Sequence, residues 1–109
     1  MNDHAAVVKG VDFDFQEASQ ETINQIANEF GGESYFDPFD QRVTYMFNDP
    51  YVVPLSKIED IHESLCEIGR STEERHGCRY ISNELYLSTS EEGVIRLSEL
   101  GIDFHLRYV

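Results

Sequence analysis

Two periodicities alternate along this chain, and together they leave few folds open. Val11, Phe13 and Phe15 alternate with Asp12 and Asp14, and near the far end Ile102, Phe104, Leu106 and Tyr108 alternate with Asp103, His105 and Arg107. Successive side chains of a strand point to opposite faces, so each stretch predicts a strand with one apolar and one polar face. Between them the apolar spacing changes to three and four. Ile23, Ile26, Ala27 and Phe30 form one helical stripe, opened by Ser19 as N-cap and ended by Gly31-Gly32. Ile58, Ile61, Leu65 and Ile68 form a second, with the capping-box pattern Ser56-Lys57-Ile58-Glu59 at its start. Val94, Ile95, Leu97 and Leu100 form a third, after Ser88-Thr89-Ser90-Glu91-Glu92 and before Gly101.

The remaining segments supply further strands and turns. Tyr35-Phe36 and Val43 to Phe47 predict a hairpin around Asp37-Pro38-Phe39-Asp40, closed by Asn48-Asp49-Pro50. The polar stretch Arg70 to Gly77 reads as a loop or a frayed extension of the second helix. Cys78 to Ile81 and Leu85 to Leu87 read as two short strands around Asn83-Glu84. The order is β-α-β-β-α-β-β-α-β. It predicts an α+β fold, a single small domain over residues 1–109 whose antiparallel or mixed sheet packs with about three helices on one face.

The chain holds 21 Asp and Glu against 8 Lys and Arg, a formal charge of −13 on 109 residues. Seven Phe and six Tyr set it apart from a disordered acidic tail. No apolar run approaches the ~20 residues of a membrane span. Anionic lipid surfaces and nucleic-acid phosphates would repel such a chain, so neither a membrane nor direct nucleic-acid binding is expected. Met1-Asn2-Asp3-His4 does not open a secretory signal, and Cys66 and Cys78 alone form no disulfide framework. The expectation is a cytoplasmic protein with reduced thiols.

No chemistry-bearing motif competes with the charge. Gly-x-Ser-x-Gly, the P-loop, the dinucleotide fingerprint and the EF-hand loop are all missing, so neither an enzyme nor a cofactor is expected. His62, Cys66, His76 and Cys78 are the one set resembling zinc ligands, but their spacing is not a standard one, and Cys66 also suits a small core position. Asp12-x-Asp14 puts two carboxylates on one strand face, which an exposed polar face explains without a cation. His105 alternates outward as a surface histidine.

The acids instead fall into two local groups. Glu33, Asp37, Asp40 and Asp49 lie in and around the hairpin, interleaved with Tyr35, Phe36 and Phe39. Glu59, Asp60, Glu63 and Glu67, at offsets of three and four, share a flank of the second helix. Ordinary turn chemistry, with Phe36 and Phe39 under the sheet edge, and a solvated helix face explain them without a partner. Aromatics ringed by carboxylates also suit capture of an Arg- and Lys-rich surface through ion pairs and cation–π contacts. Residues 1–50 hold ten acids and two bases, residues 51–109 eleven and six. If Glu33, Tyr35, Asp37, Phe39, Asp40, Asp49, Glu59, Asp60, Glu63 and Glu67 make one docking surface, the two groups must converge in space.

Leu85-Tyr86-Leu87-Ser88, followed by Gly93-Val94-Ile95-Arg96-Leu97-Ser98-Glu99-Leu100-Gly101-Ile102-Asp103-Phe104, resembles the C-terminus of a family of uncharacterised bacterial domains. The family ends in a short strand, a Ser-led helix, a Leu-x-x-Leu-Gly-Ile step and an alternating strand, and some members occur among immunity proteins of toxin systems. The resemblance covers about a quarter of the chain and carries over no functional residue. It implies an immunity protein that occludes the basic active-site or substrate-binding surface of a cognate toxin domain, such as a nuclease. The alternative is a nucleic-acid mimic that inhibits a host DNA- or RNA-binding protein, as anti-restriction and anti-CRISPR factors do. Oligomeric state stays open.

Overall fold

The computed structural model describes residues 5–107, which form five strands and three helices. In chain order these are β1 (Ala5–Gln16), α1 (Gln20–Phe30), β2 (Glu33–Asp37), β3 (Asp40–Pro54), α2 (Leu55–His76), β4 (Arg79–Thr89), α3 (Glu91–Glu99) and β5 (Phe104–Leu106). The sheet order is β2-β3-β1-β4-β5. All pairings are antiparallel except β4 with β5, so the sheet is mixed and the fold is α+β.

β1 is the central strand, and its alternation divides the sheet into two faces. Val11, Phe13 and Phe15 point toward the helices and are almost fully buried. Upstream the buried positions are Ala6 and Val8, even-numbered instead of odd. A bulge causes the switch: Val8 pairs with Leu87 and Gly10 with Tyr86, leaving Lys9 as an extra residue. On the other side β3 runs from Met46 to Tyr51 across the same step. A Cβ on Gly10 would lie 2.6 Å from the Tyr45 carbonyl oxygen, so only glycine lets the strands approach here.

The helices cover one face. Ile23, Ile26 and Ala27 of α1, Leu55 and Ile58 of α2 and Leu97 of α3 join the strand residues in one core. Phe13 packs on Phe30 at 5.3 Å and Phe15 on Tyr80 at 5.9 Å between ring centroids. Ser19 accepts from Thr22 N–H and Ser90 from Gly93 N–H, each capping its helix as the sequence predicts. Gly31 ends α1 in the left-handed region at φ 75°.

Five local expectations are corrected. Residues 70–76 are helical, because tertiary partners satisfy their polar groups: Arg75 and His76 bind Glu29, and Glu73 accepts Tyr80 N–H at 2.7 Å. Asn83-Glu84 is not a turn. β4 pairs with β1 along its whole length, and Asn83 is buried with its amide donating to Tyr80 Oη at 2.6 Å. Asn48-Asp49-Pro50 does not end the hairpin strand, since β3 resumes pairing at Tyr51. Ser56 is not the N-cap: α2 starts earlier, at buried Leu55 after Pro54, which has no side-chain cap. The terminal strand is shorter than its alternation, and Tyr108 lies outside the described residues.

Candidate partner-binding surfaces

None of the three helices packs on the second face of the sheet. There the strand register assembles Asp12 and Asp14 of β1 with Arg42 and Thr44 of β3, Ser82, Glu84 and Tyr86 of β4, and Glu33 and Tyr35 of β2. Asp12 is 5% exposed and accepts from the Thr44 hydroxyl at 2.8 Å and from Arg42 Nη1 at 3.4 Å. Arg42 Nε lies 3.0 Å from Asp40 Oδ2, an ion pair without hydrogen-bond alignment. The guanidinium carbon sits 5.6 Å from the centre of the Tyr35 ring, and the Tyr35 hydroxyl donates to Glu33 at 2.8 Å. Burial lowers the Arg42 pKa, but the Asp12 and Asp40 carboxylates outweigh it and hold the guanidinium firmly charged.

Asp14 is the unsettled member of this face. Its Oδ1 is buried without a hydrogen-bond partner. Burial raises its pKa, and repulsion from Asp40 and Asp12 raises it further against the pull of Arg42. Across β4, Glu84 pairs with His105, whose ring stacks on Tyr86 at 5.4 Å. The Arg107 guanidinium carbon also lies over the Tyr86 ring, 4.8 Å from its centroid. Between Glu33, Tyr35, Thr44, Met46, Tyr86 and Arg107 is a cleft of about 350 Å³. Five carboxylates (Asp12, Asp14, Glu33, Asp40 and Glu84) thus share an uncovered sheet face with Arg42, which pairs with Asp12 and Asp40. This arrangement can hold cationic groups beside aromatic rings.

The hairpin tip extends this face. Asp37 Oδ1 accepts Phe39 N–H at 2.7 Å, a local turn bond that leaves Phe39 89% exposed. Phe36 is also exposed, so neither ring tucks under the sheet edge. The helix group lies elsewhere. Glu59, Asp60, Glu63 and Glu67 are exposed on α2, in the helix layer on the opposite side of the sheet. The first three belong to the half of α2 that follows Pro54, which pairs with Ala5, whereas the hairpin tip adjoins Gln41, which pairs with Phe15 at the other end of β1. The two groups do not converge. Glu33, Tyr35, Asp37, Phe39 and Asp40 form one surface, and the α2 acids another; Asp49 is exposed in the irregular middle of β3.

The zinc-like set also separates. His62 Nε2 is 3.8 Å from Cys66 Sγ, but His76 binds Glu29 and Cys78 is buried, its thiol pKa pushed up by burial. Among the described residues no group of three or more His, Cys, Asp or Glu could hold a metal ion. None of the described helices is long and apolar enough to cross a membrane.

Arg42, Glu84, Tyr86 and Arg107 complete the open face, and sequence reasoning did not single them out. The signal was present in part: once the hairpin is drawn, Arg42 falls opposite Tyr35 and on the Asp12–Asp14 face. Tyr86 and Arg107 needed the bulge and the parallel pairing of β5. Compared with known proteins, the chain matches no family model, no curated protein and no solved structure at a significant level.

Proposed function

We propose that this chain is an acidic immunity-type protein that binds a basic surface of a partner protein and blocks it. One observation carries the reading: an uncovered sheet face holds five carboxylates, with Arg42 among them and Arg107 at its rim, and runs out to the exposed Phe39. A basic cleft supplies what this face lacks. Partner Lys and Arg side chains would meet Glu33, Asp40 and Glu84, while Tyr35 on the face and Phe39 at its edge supply apolar contact. A toxin domain that acts on nucleic acid fits best, because phosphate binding obliges it to carry such a cleft. The C-terminal resemblance to toxin-system domains points the same way, as does an action in the cytoplasm beside the toxin. The compact, aromatic-lined patch favours this over mimicry of a nucleic acid, which needs carboxylates along an extended phosphate-like track.

The chain would act stoichiometrically, by steric occlusion. The experiment is inhibition: the protein encoded by the gene adjoining this one is assayed for toxic or nuclease activity while this chain is titrated in. Full inhibition at one equivalent supports the reading. Undiminished activity at a tenfold excess overturns it.

A further inference from the structure

The two edges of the sheet are not alike. β5 closes one side with three residues, Phe104 to Leu106, and Arg107 follows directly. β2 closes the other with five, paired to β3 from Glu33 to Asp37 without a bulge. It lacks the proline, lysine or bulge that commonly blunts an edge. The two-residue turn Pro38-Phe39 joins it to β3, so Asp37 and Asp40 form the first hydrogen-bonded pair, and such pairs alternate from there. Glu33, Tyr35 and Asp37 therefore bond toward β3, whereas Ser34 and Phe36 turn their main-chain N–H and C=O groups to the free edge. Side chains alternate the other way round: Glu33, Tyr35 and Asp37 share the open face with Arg42, and Ser34 and Phe36 lie on the helix side. Glu33, Tyr35, Phe36 and Asp37 are all exposed.

We propose that β2 accepts one extended basic segment of the partner as an antiparallel sixth strand, with Lys or Arg opposite Glu33 and Asp37 and an apolar side chain opposite Phe36. This rests on the reading that the partner is basic, and it adds how that partner docks. Main-chain bonds to Ser34 and Phe36 hold the segment, and side chains select it. Charge names the occupant. Among the described residues, the partners of Glu33 and Asp37 are the neutral Tyr35 hydroxyl and Phe39 amide. Arg42, beside Tyr35, is paired with Asp12 and Asp40. Cations directly opposite Glu33 and Asp37 on a neighbouring strand complement them. A second copy of this chain does the reverse: symmetric pairing of β2 along its full length, centred on Tyr35, sets Glu33 against Asp37 at both ends. β5 is the poorer edge for such a segment, being shorter and ending at Arg107. A helix gains nothing at this edge, because its main-chain groups already bond to one another.

The test uses synthetic peptides of about nine residues that alternate Lys with Val, titrated into the full chain by fluorescence anisotropy. The Lys peptide is expected to bind at least tenfold more tightly than the same peptide with Glu for Lys. Since Ser34 and Phe36 bond outward, the Val amides of the added strand donate to β2 and the Lys amides point away. Methylating the Val amides should therefore weaken binding at least tenfold, and methylating the Lys amides should spare it; plain charge attraction is indifferent to both. Glu33→Gln with Asp37→Asn should weaken binding at least fivefold, whereas Glu74→Gln with Glu91→Gln, the same loss of charge at exposed helix positions, should not. Phe36→Pro, which removes an outward donor, should weaken it as well. Equal binding of the Lys and Glu peptides, no binding, or equal effects of the two methylations overturns the edge assignment. So does a dimer in sedimentation that Phe36→Pro dissociates, which would give the edge to a second copy. If the peptides fail while the adjoining gene product is still inhibited, the edge assignment fails alone; if the Lys peptide binds as expected and inhibition is absent, the proposed function fails alone.

Discussion

Asp14 is where this protein gives up stability for its surface. Burial and two neighbouring carboxylates raise its pKa above that of the unfolded chain. Such a group is easiest to fold around when protonated: its contribution is fully present below the unfolded pKa, near 3.9, and is lost as pH rises through the folded value. At neutral pH Asp14 therefore costs stability. Asp14→Asn should melt at a higher temperature than the parent at pH 7, and calorimetry at pH 3 should find the advantage gone. Glu17 carries a second strain, with φ 59° just after β1. Glu17→Gly relieves a left-handed conformation that costs a non-glycine residue about 1 kcal/mol, and urea unfolding should show a gain of that order. Neither cost was legible in the sequence. Asp14 looked like half of a solvated strand face; its difficulty arises from burial, then from Asp40 brought over from β3 and from Asp12 on its own strand.

At the scale of elements, the sequence was clearest where local and tertiary preferences agree. Ser19 and Ser90 sit where their capping bonds form, and replacing either with Ala should cost about 1 kcal/mol in equilibrium unfolding. Ile58 fills the α2 stripe with no exposure, so Ile58→Ala should cost about 2–5 kcal/mol. The sequence misled where tertiary partners decide. The last turns of α2 look like a polar loop until Glu29 and Tyr80 are placed beside Arg75, His76 and Glu73. Asn83 looks like a turn residue until its amide meets Tyr80 and Cys66 under α2. The bulge at Lys9 marks the sequence only through Gly10 and a change of parity, from Ala6 and Val8 to Val11, Phe13 and Phe15.

Over the whole molecule, the sequence announced the excess charge but not where it is usable. Acidic residues lie on both sides of the sheet, and their division followed only from β1 separating an open face from a helix layer. Two surfaces result. The open face offers carboxylates beside Arg42 with Phe39 at its tip, and the exposed α2 acids lie in the helix layer on the other side of the sheet. Phe47, Leu65 and Ile68 carry the periodicity of buried positions, yet Phe47 and Leu65 are only half-buried and Ile68 is exposed.

The central claim is that a basic partner is recognised through the open face, and the association rate tests it most directly. Stopped-flow binding to the adjoining gene product should slow at least tenfold between about 50 and 500 mM salt, while dissociation changes little. Glu33→Gln with Asp40→Asn should slow association and flatten that salt dependence. An association rate indifferent to salt, or unaltered by the paired substitution, would contradict the claim.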